Sequence, residues 1–136
     1  MDDKSTEAGV TTTDGVCVGL VRAERMLVVR TRRYPEHWQP IGGRCAEREA
    51  PRETAAREIL EETGWTVDPR NLHEALVEPM DAHAGVLTFY ITQAPSNEPL
   101  VDFEEIAETR WVTKEESLAL AAFAAARKFF SLWADT

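Results

Sequence analysis

Between Arg57 and Trp65 the chain reads REILEETGW, so three glutamates fall within five residues of a segment whose periodicity is helical. The spacing predicts a helix from about Ala50 to Thr63, with Pro51 at the first helical position and Gly64 just past the end. With Glu58 set to zero on a helical wheel, Glu61 falls at about 300° and Glu62 at about 40°. Ala55, Ile59, Thr63, Ala56 and Leu60 span roughly 60° to 200° on the same wheel and form the expected buried sector. Carboxylates three and four residues apart repel one another by a few tenths of a kcal/mol per pair. Such a face is either screened by water or neutralised by a cation.

Three neighbouring features favour the cation. The glutamates sit towards the helix C-terminus, where the macrodipole disfavours negative charge. Gly42 and Gly43 lie a short distance upstream, where backbone can approach a ligand closely. Arg57 and Glu49 are spaced to tie the loop before the helix to the helix itself. Clustered hard oxygens suit Mg²⁺ or Mn²⁺, ions usually shared with substrate phosphates.

The rest of the chain supplies a sheet for this helix to cover. Two β-branched runs, 15–22 and 25–33, are separated by Ala23 and Glu24 and read as a hairpin of central strands. A short strand is expected within 39–44, ending in the Gly pair. A further pair of strands is expected at 71–81 and 85–93, and another strand at 109–113, after an acidic, irregular stretch at 100–108. Thr113 and Glu116 form a capping box that opens an Ala-rich helical region of one helix or two. Strands before, between and after helices predict an α/β fold with a mixed sheet between helices. Residues 1–13 are polar and without period, which predicts a flexible N-terminal arm before a single domain over 14–136.

Composition narrows the partners. The chain has 136 residues, 24 acidic against 15 basic, for a formal net charge of −9, which argues against extended nucleic acid or an anionic membrane as partner. A bound divalent metal reverses the local sign, so a small anionic substrate stays open. No apolar run approaches a membrane span and no secretory signal precedes the domain. Cys17 and Cys45 lack C-x-x-C spacing and read as reduced thiols. These features together predict a cytoplasmic protein.

From Gly43 the chain reads Gly, five residues, Glu49, seven residues, Arg57-Glu58-Ile59, one residue, Glu61-Glu62, one residue, Gly64-Trp65. This segment resembles the Nudix box at every fixed position, over 23 of the 136 residues. The resemblance implies a Nudix-type α/β/α sandwich and a Mg²⁺- or Mn²⁺-dependent hydrolase that cleaves a P–O–P linkage in a nucleoside diphosphate derivative. It further implies Glu58, Glu61 and Glu62 as metal ligands with the Gly43 carbonyl as a fourth, and Arg57 and Glu49 as the pair that aims the helix. The general base is implied to be a box glutamate, Glu58 or Glu61, or a glutamate on a later loop. Glu105, six residues before Trp111, has a spacing similar to some members, and Glu104 competes with it. Two departures stand out. The proline of the frequent Pro-Gly-Gly lead is displaced to Pro40, and Arg48 stands where many members have Gly.

Substrate contacts are less specified. Arg30 and Arg32 are expected to share one strand face, with Arg33 pointing the other way, and one of them to hold a phosphate bidentately. Tyr34, His37 and Trp38 are candidates for stacking on a base, with Phe89 or Tyr90 lining the same cleft. Trp65, Trp111 and Trp133 read as core, and His73 and His83 as surface residues. Pro79 resembles the downstream proline of ADP-ribose pyrophosphatases, whereas the short length is similar to nucleoside triphosphate pyrophosphohydrolases. The expected partner is a small nucleotide or nucleotide-sugar, and the resemblance is compatible with a homodimer. The alternative class is a non-catalytic nucleotide-sensing module of the same fold, and the intact box argues against it.

Overall fold

A computed structural model describes residues 13–80 and 85–136. Most of the expected N-terminal arm, and His83, lie outside the described residues. Six strands, β1 (Gly15–Arg22), β2 (Arg25–Thr31), β3 (Ile41–Arg44), β4 (His73–Pro79), β5 (Val86–Gln93) and β6 (Ile106–Thr113), form one mixed sheet. Among the described residues three helices accompany them: α1 (Pro51–Thr63), α2 (Lys114–Ser117) and α3 (Ala124–Ala134), with a 3-10 turn at Pro69–Asn71. The strands run in the order β4-β5-β1-β2-β6, with β3 also pairing to β1.

The branching of β1 opens the sheet where the site will form. Gly15 to Val18 pair antiparallel with Arg44 to Ile41 of β3, while only Val21 and Arg22 pair with β2. The other edge of β1 runs parallel to β5 from Gly15 opposite Leu87 to Val21 opposite Gln93. The β1–β2 turn is the two-residue kind expected for a hairpin, and it holds Ala23 and Glu24 at φ 51° and 63°.

Alternation along the strands divides the interior into two cores. Val16, Val18 and Leu20 of β1, Leu27 and Val29 of β2, and Tyr90 of β5 face one side, where Ala55 and Ile59 of α1 and Trp65 cover them. Met26, Val28 and Phe89 face the other, where Ala125, Ala126, Phe129, Phe130 and Trp133 of α3 close over them. Full burial of each larger apolar side chain contributes about 1.5–3 kcal/mol. The sandwich thus follows from period-two strands meeting two apolar helix faces.

Two expectations change and one left open is resolved. The last strand begins at Ile106, not at 109, because Arg30 and Thr31 draw Glu108 and Ile106 into the ladder across a bulge. The Ala-rich region is two helices, since the Trp38 N–H donates to the Ala121 carbonyl (2.8 Å) and holds the chain extended towards the β2–β3 loop. On α1 the buried sector is rotated from the wheel reading: Leu60 is 52% exposed, whereas Glu62 is only 5% exposed. The sheet meets the helix along the Ala55–Ile59 line, so Glu62, about 60° from Ile59, is carried under with it.

Candidate active site

α1 is held at both ends by local chemistry. The Glu53 carboxylate accepts the Ala50 N–H (2.9 Å) at the start. At the end Gly64 turns left-handed (φ 73°) and its N–H reaches the Leu60 carbonyl (2.9 Å), a conformation glycine adopts without penalty.

Arg57 organises the acidic side of this helix. Its Nε and Nη2 donate to the two carboxylate oxygens of Glu49 (2.8 and 3.0 Å), a bidentate pair, and Nη2 also reaches the Arg44 carbonyl (3.2 Å). Its Nη1 donates to Glu58 (3.0 Å) and to Glu61 (3.2 Å). Glu49 also accepts from the Thr54 hydroxyl (2.6 Å) and the Ala46 N–H (3.2 Å). The Arg57 guanidinium and then the Thr54 hydroxyl hold the Glu49 carboxyl down at about 2. One guanidinium therefore joins β3, the loop after it and α1.

The three glutamates of α1 occupy different environments. Glu61 is half-exposed, with 55% of its side chain open, whereas Glu58 keeps 13%. The Glu58 carboxylate lies against Gly43, where an added Cβ would sit 2.3 Å from it, so only glycine leaves this space open. Glu62 is buried, hydrogen-bonds to Glu58, and lies in the field of Glu58, Glu105 and Glu61; burial first, and then these neighbours, push its carboxyl far above the ordinary range. Burial and the Glu62 charge likewise push the Cys17 thiol up to about 12. Among the described residues no three His, Cys, Asp or Glu side chains converge as a ready ligand set. The donor set nevertheless fits a hard cation. It is all oxygen, it has the Gly43 space, and its buried carboxylate is surrounded by like charge.

A cavity of about 440 Å³ opens beside this cluster. Glu58 and Glu105 both line it, although they come from α1 and from the loop before β6. Gly42, Gly43 and Arg44 form its β3 wall, and Thr31, Arg33, Tyr34 and Gln39 its β2–β3 wall. Met80, Leu87, Phe89, Phe123, Ala125 and Ala126 make the far end apolar. His37 stacks on Phe123 (centroids 4.0 Å, 8°), and Tyr34 meets the same ring edge-on (5.4 Å).

Of the residues singled out for substrate, Arg30, Arg32 and Trp38 are not among those lining this cavity. Arg30 donates to the Pro35 carbonyl (2.7 Å) and pairs with Glu108, and its guanidinium lies over Trp38 (5.2 Å). Arg32 donates through Nε to the Phe103 carbonyl (2.8 Å). Arg33 lines the cavity beside Tyr34 and has no acidic partner among the described residues. Glu104 is exposed and is not a lining residue, unlike Glu105. Phe123 went unnoticed in the sequence because its place depends on how α3 docks across the sheet. Arg48, at φ 67°, occupies a left-handed position, the physical reason a glycine suits that site.

An α/β sandwich carries a carboxylate-rich helix beside a cavity, and comparison with known proteins specifies its family. The NUDIX domain family matches residues 11–133, so the chain belongs to the NUDIX family. An uncharacterized Nudix hydrolase from Listeria innocua is 30% identical over 88 residues, 64% of this chain and 52% of that protein. The chain thus spans about half the length of that relative. Among solved structures, a MutT NUDIX hydrolase from Burkholderia pseudomallei has a similar fold, with a TM-score of 0.75 at 23% identity over 89% of this chain and 98% of that one. The NUDIX domain of Shewanella oneidensis NrtR, solved with ADP ribose, has a TM-score of 0.71 at 14% identity over 93% of this chain and 90% of that one.

Proposed function

We propose that this protein hydrolyses a P–O–P linkage in a nucleoside diphosphate derivative, such as a nucleoside triphosphate or nucleotide-sugar, with Mg²⁺ or Mn²⁺ as cofactor. The observation that carries this reading is the convergence of Glu58 and Glu105 on one cavity, with Gly43 leaving open the space against Glu58. Glu58, Glu61, Glu62 and the Gly43 carbonyl would hold the cation. When bound, it supplies charge neutralisation for the phosphate oxygens and Lewis acidity towards water.

The chain's own groups do the remainder. Arg57 and Glu49 keep Glu58 aimed at the cavity, so little reorganisation is needed when substrate arrives. Arg33, cationic and without an acidic partner among the described residues, takes a substrate phosphate at the cavity wall. Glu105 accepts the proton of the attacking water as its oxygen bonds to phosphorus in line, and the bridging P–O bond opposite breaks, its electron pair leaving with the departing phosphate group. The apolar end, with Phe123 and Phe89, receives the part of the substrate that is not phosphate. Both cysteines are free thiols, which supports a cytoplasmic setting. Among the described residues no helix is long and apolar enough to cross a membrane.

The test is chromatographic product analysis on nucleoside triphosphates, ADP-ribose, nucleotide-sugars and dinucleoside polyphosphates, with and without Mg²⁺. Metal-dependent release of a nucleoside monophosphate from one class is the expected result. Tight binding of a panel member without turnover would replace the hydrolase by a nucleotide-sensing module.

A further inference from the structure

We propose that Arg32 is a positioning residue for Glu105, holding the loop that carries it at the edge of the cavity. This rests on the reading of Glu105 as general base. The loop before β6 has little side-chain burial to hold it, since Phe103, Glu104 and Glu105 are all exposed. Its position comes from hydrogen bonds on two sides.

On the α1 side the Leu100 N–H donates to the Thr63 carbonyl (2.7 Å) and the Asp102 N–H to the Glu62 carbonyl (3.0 Å). Asp102 then closes a tight turn, with its side chain accepting the Glu104 N–H (3.0 Å) and its carbonyl accepting the Ile106 N–H (3.0 Å). On the β2 side a single residue makes both contacts. The Arg32 N–H donates to the Glu105 carbonyl (2.8 Å) and its Nε donates to the Phe103 carbonyl (2.8 Å). Arg32 thus grips the loop on both sides of Glu104, and this leaves Glu105 facing the cavity while Glu104 does not line it.

The chemistry selects arginine. An Nε–H at the stem end of a rigid planar head can reach a backbone carbonyl beside the residue's own strand, whereas lysine carries its donors only at the end of a flexible stem. The three neighbouring arginines are then distinct in role: Arg30 belongs to the Glu108 and Trp38 packing, Arg32 to the base loop, and Arg33 to the cavity.

The experiment compares Arg32→Ala, Arg32→Lys, Glu105→Gln and the Arg32→Ala/Glu105→Gln pair by steady-state kinetics on the panel nucleotide that wild type turns over fastest. Because small misplacements of a reacting group are costly, Arg32→Ala should lower kcat on the order of tenfold while KM stays within about twofold. Arg32→Lys should behave like the alanine variant, and in the Glu105→Gln background the substitution should cause no further loss. Amide hydrogen exchange on the metal-free protein should show Glu104 and Glu105 exchanging faster in Arg32→Ala at an unchanged melting temperature. A raised KM with intact kcat, full rescue by lysine, or an undiminished loss in the Glu105→Gln background would each overturn the proposal. Wild-type turnover by Glu105→Gln removes the base assignment and this proposal with it. Impaired Glu105→Gln beside unimpaired Arg32→Ala removes this proposal alone.

Discussion

The molecule contains two acidic segments of similar composition, EILEE on α1 and DFEE in the loop before β6, and it treats them in opposite ways. On α1 the carboxylates are spaced by helical geometry, drawn together by Arg57, and in the case of Glu62 buried. In the loop Glu104 and Glu105 stay exposed, and hydrogen bonds to α1 and to Arg32, just past β2, set their position. Like charges can be stored in a fold either by a fixed cation and burial or by solvent. The first arrangement buries Glu62 among like charges, whereas the second leaves Glu104 and Glu105 open to solvent.

This contrast can be broken most severely on the helix. Glu61→Gln keeps the shape of the side chain and removes one charge from the cluster, so kcat should fall by about a hundredfold or more with the fold intact, the scale expected for a lost transition-state charge partner. Near-wild-type turnover would reject the metal assignment. On the loop, Glu105→Gln should lower kcat by about a hundredfold, the lower range for a general base, whereas Glu104→Gln should stay close to wild type. The reverse ranking would transfer the role to Glu104.

Gly43→Ala tests whether the space against Glu58 matters. The new methyl must displace the Glu58 carboxylate, and kcat should fall about tenfold with a higher Mg²⁺ requirement. An unchanged metal dependence would mean that Glu58 does not need that space. The smallest effect concerns the Arg57–Glu49 pair. Arg57 and Thr54 hold the Glu49 carboxyl down at about 2 in the folded protein, below its ordinary 4.5, so its stabilising contribution is complete above about 4.5 and is lost as pH falls towards 2. Glu49→Gln should therefore flatten the acid side of the melting-temperature profile within that window. Identical profiles for variant and wild type would show that the pair contributes nothing to acid stability.

The helix and the loop also differ in how far they could be read in advance. The limits of α1 were legible because Pro51 and Gly64 act within one turn of the chain, and the glutamate spacing was legible because rise and rotation per residue are constant. Which side of α1 turns inward was legible only in part: Ala55, Ile59 and Thr63 are buried as expected. The wheel put Leu60 in the buried sector and Glu62 among the offered carboxylates, and docking against the sheet reversed both. The start of β6 was likewise misjudged, since Ile106 to Glu108 become strand only through pairing with β2.

What the sequence by itself determined is the local part: one helix with caps at both ends, three carboxylates at fixed angles, a Gly pair ahead of them, and strands alternating between two apolar faces. These follow from bond geometry and near-neighbour interactions, which act over a few residues. The tertiary structure alone decided that Glu105 reaches the same cavity as Glu58, that Phe123 closes its far end, and that Arg33 rather than Arg30 or Arg32 lines it. Those facts depend on a split in β1, a bulge in β2 and backbone hydrogen bonds between residues some 70 positions apart, such as Arg32 to Glu105. No local periodicity encodes such pairings, because their free energy exists only once the sheet has brought the partners together.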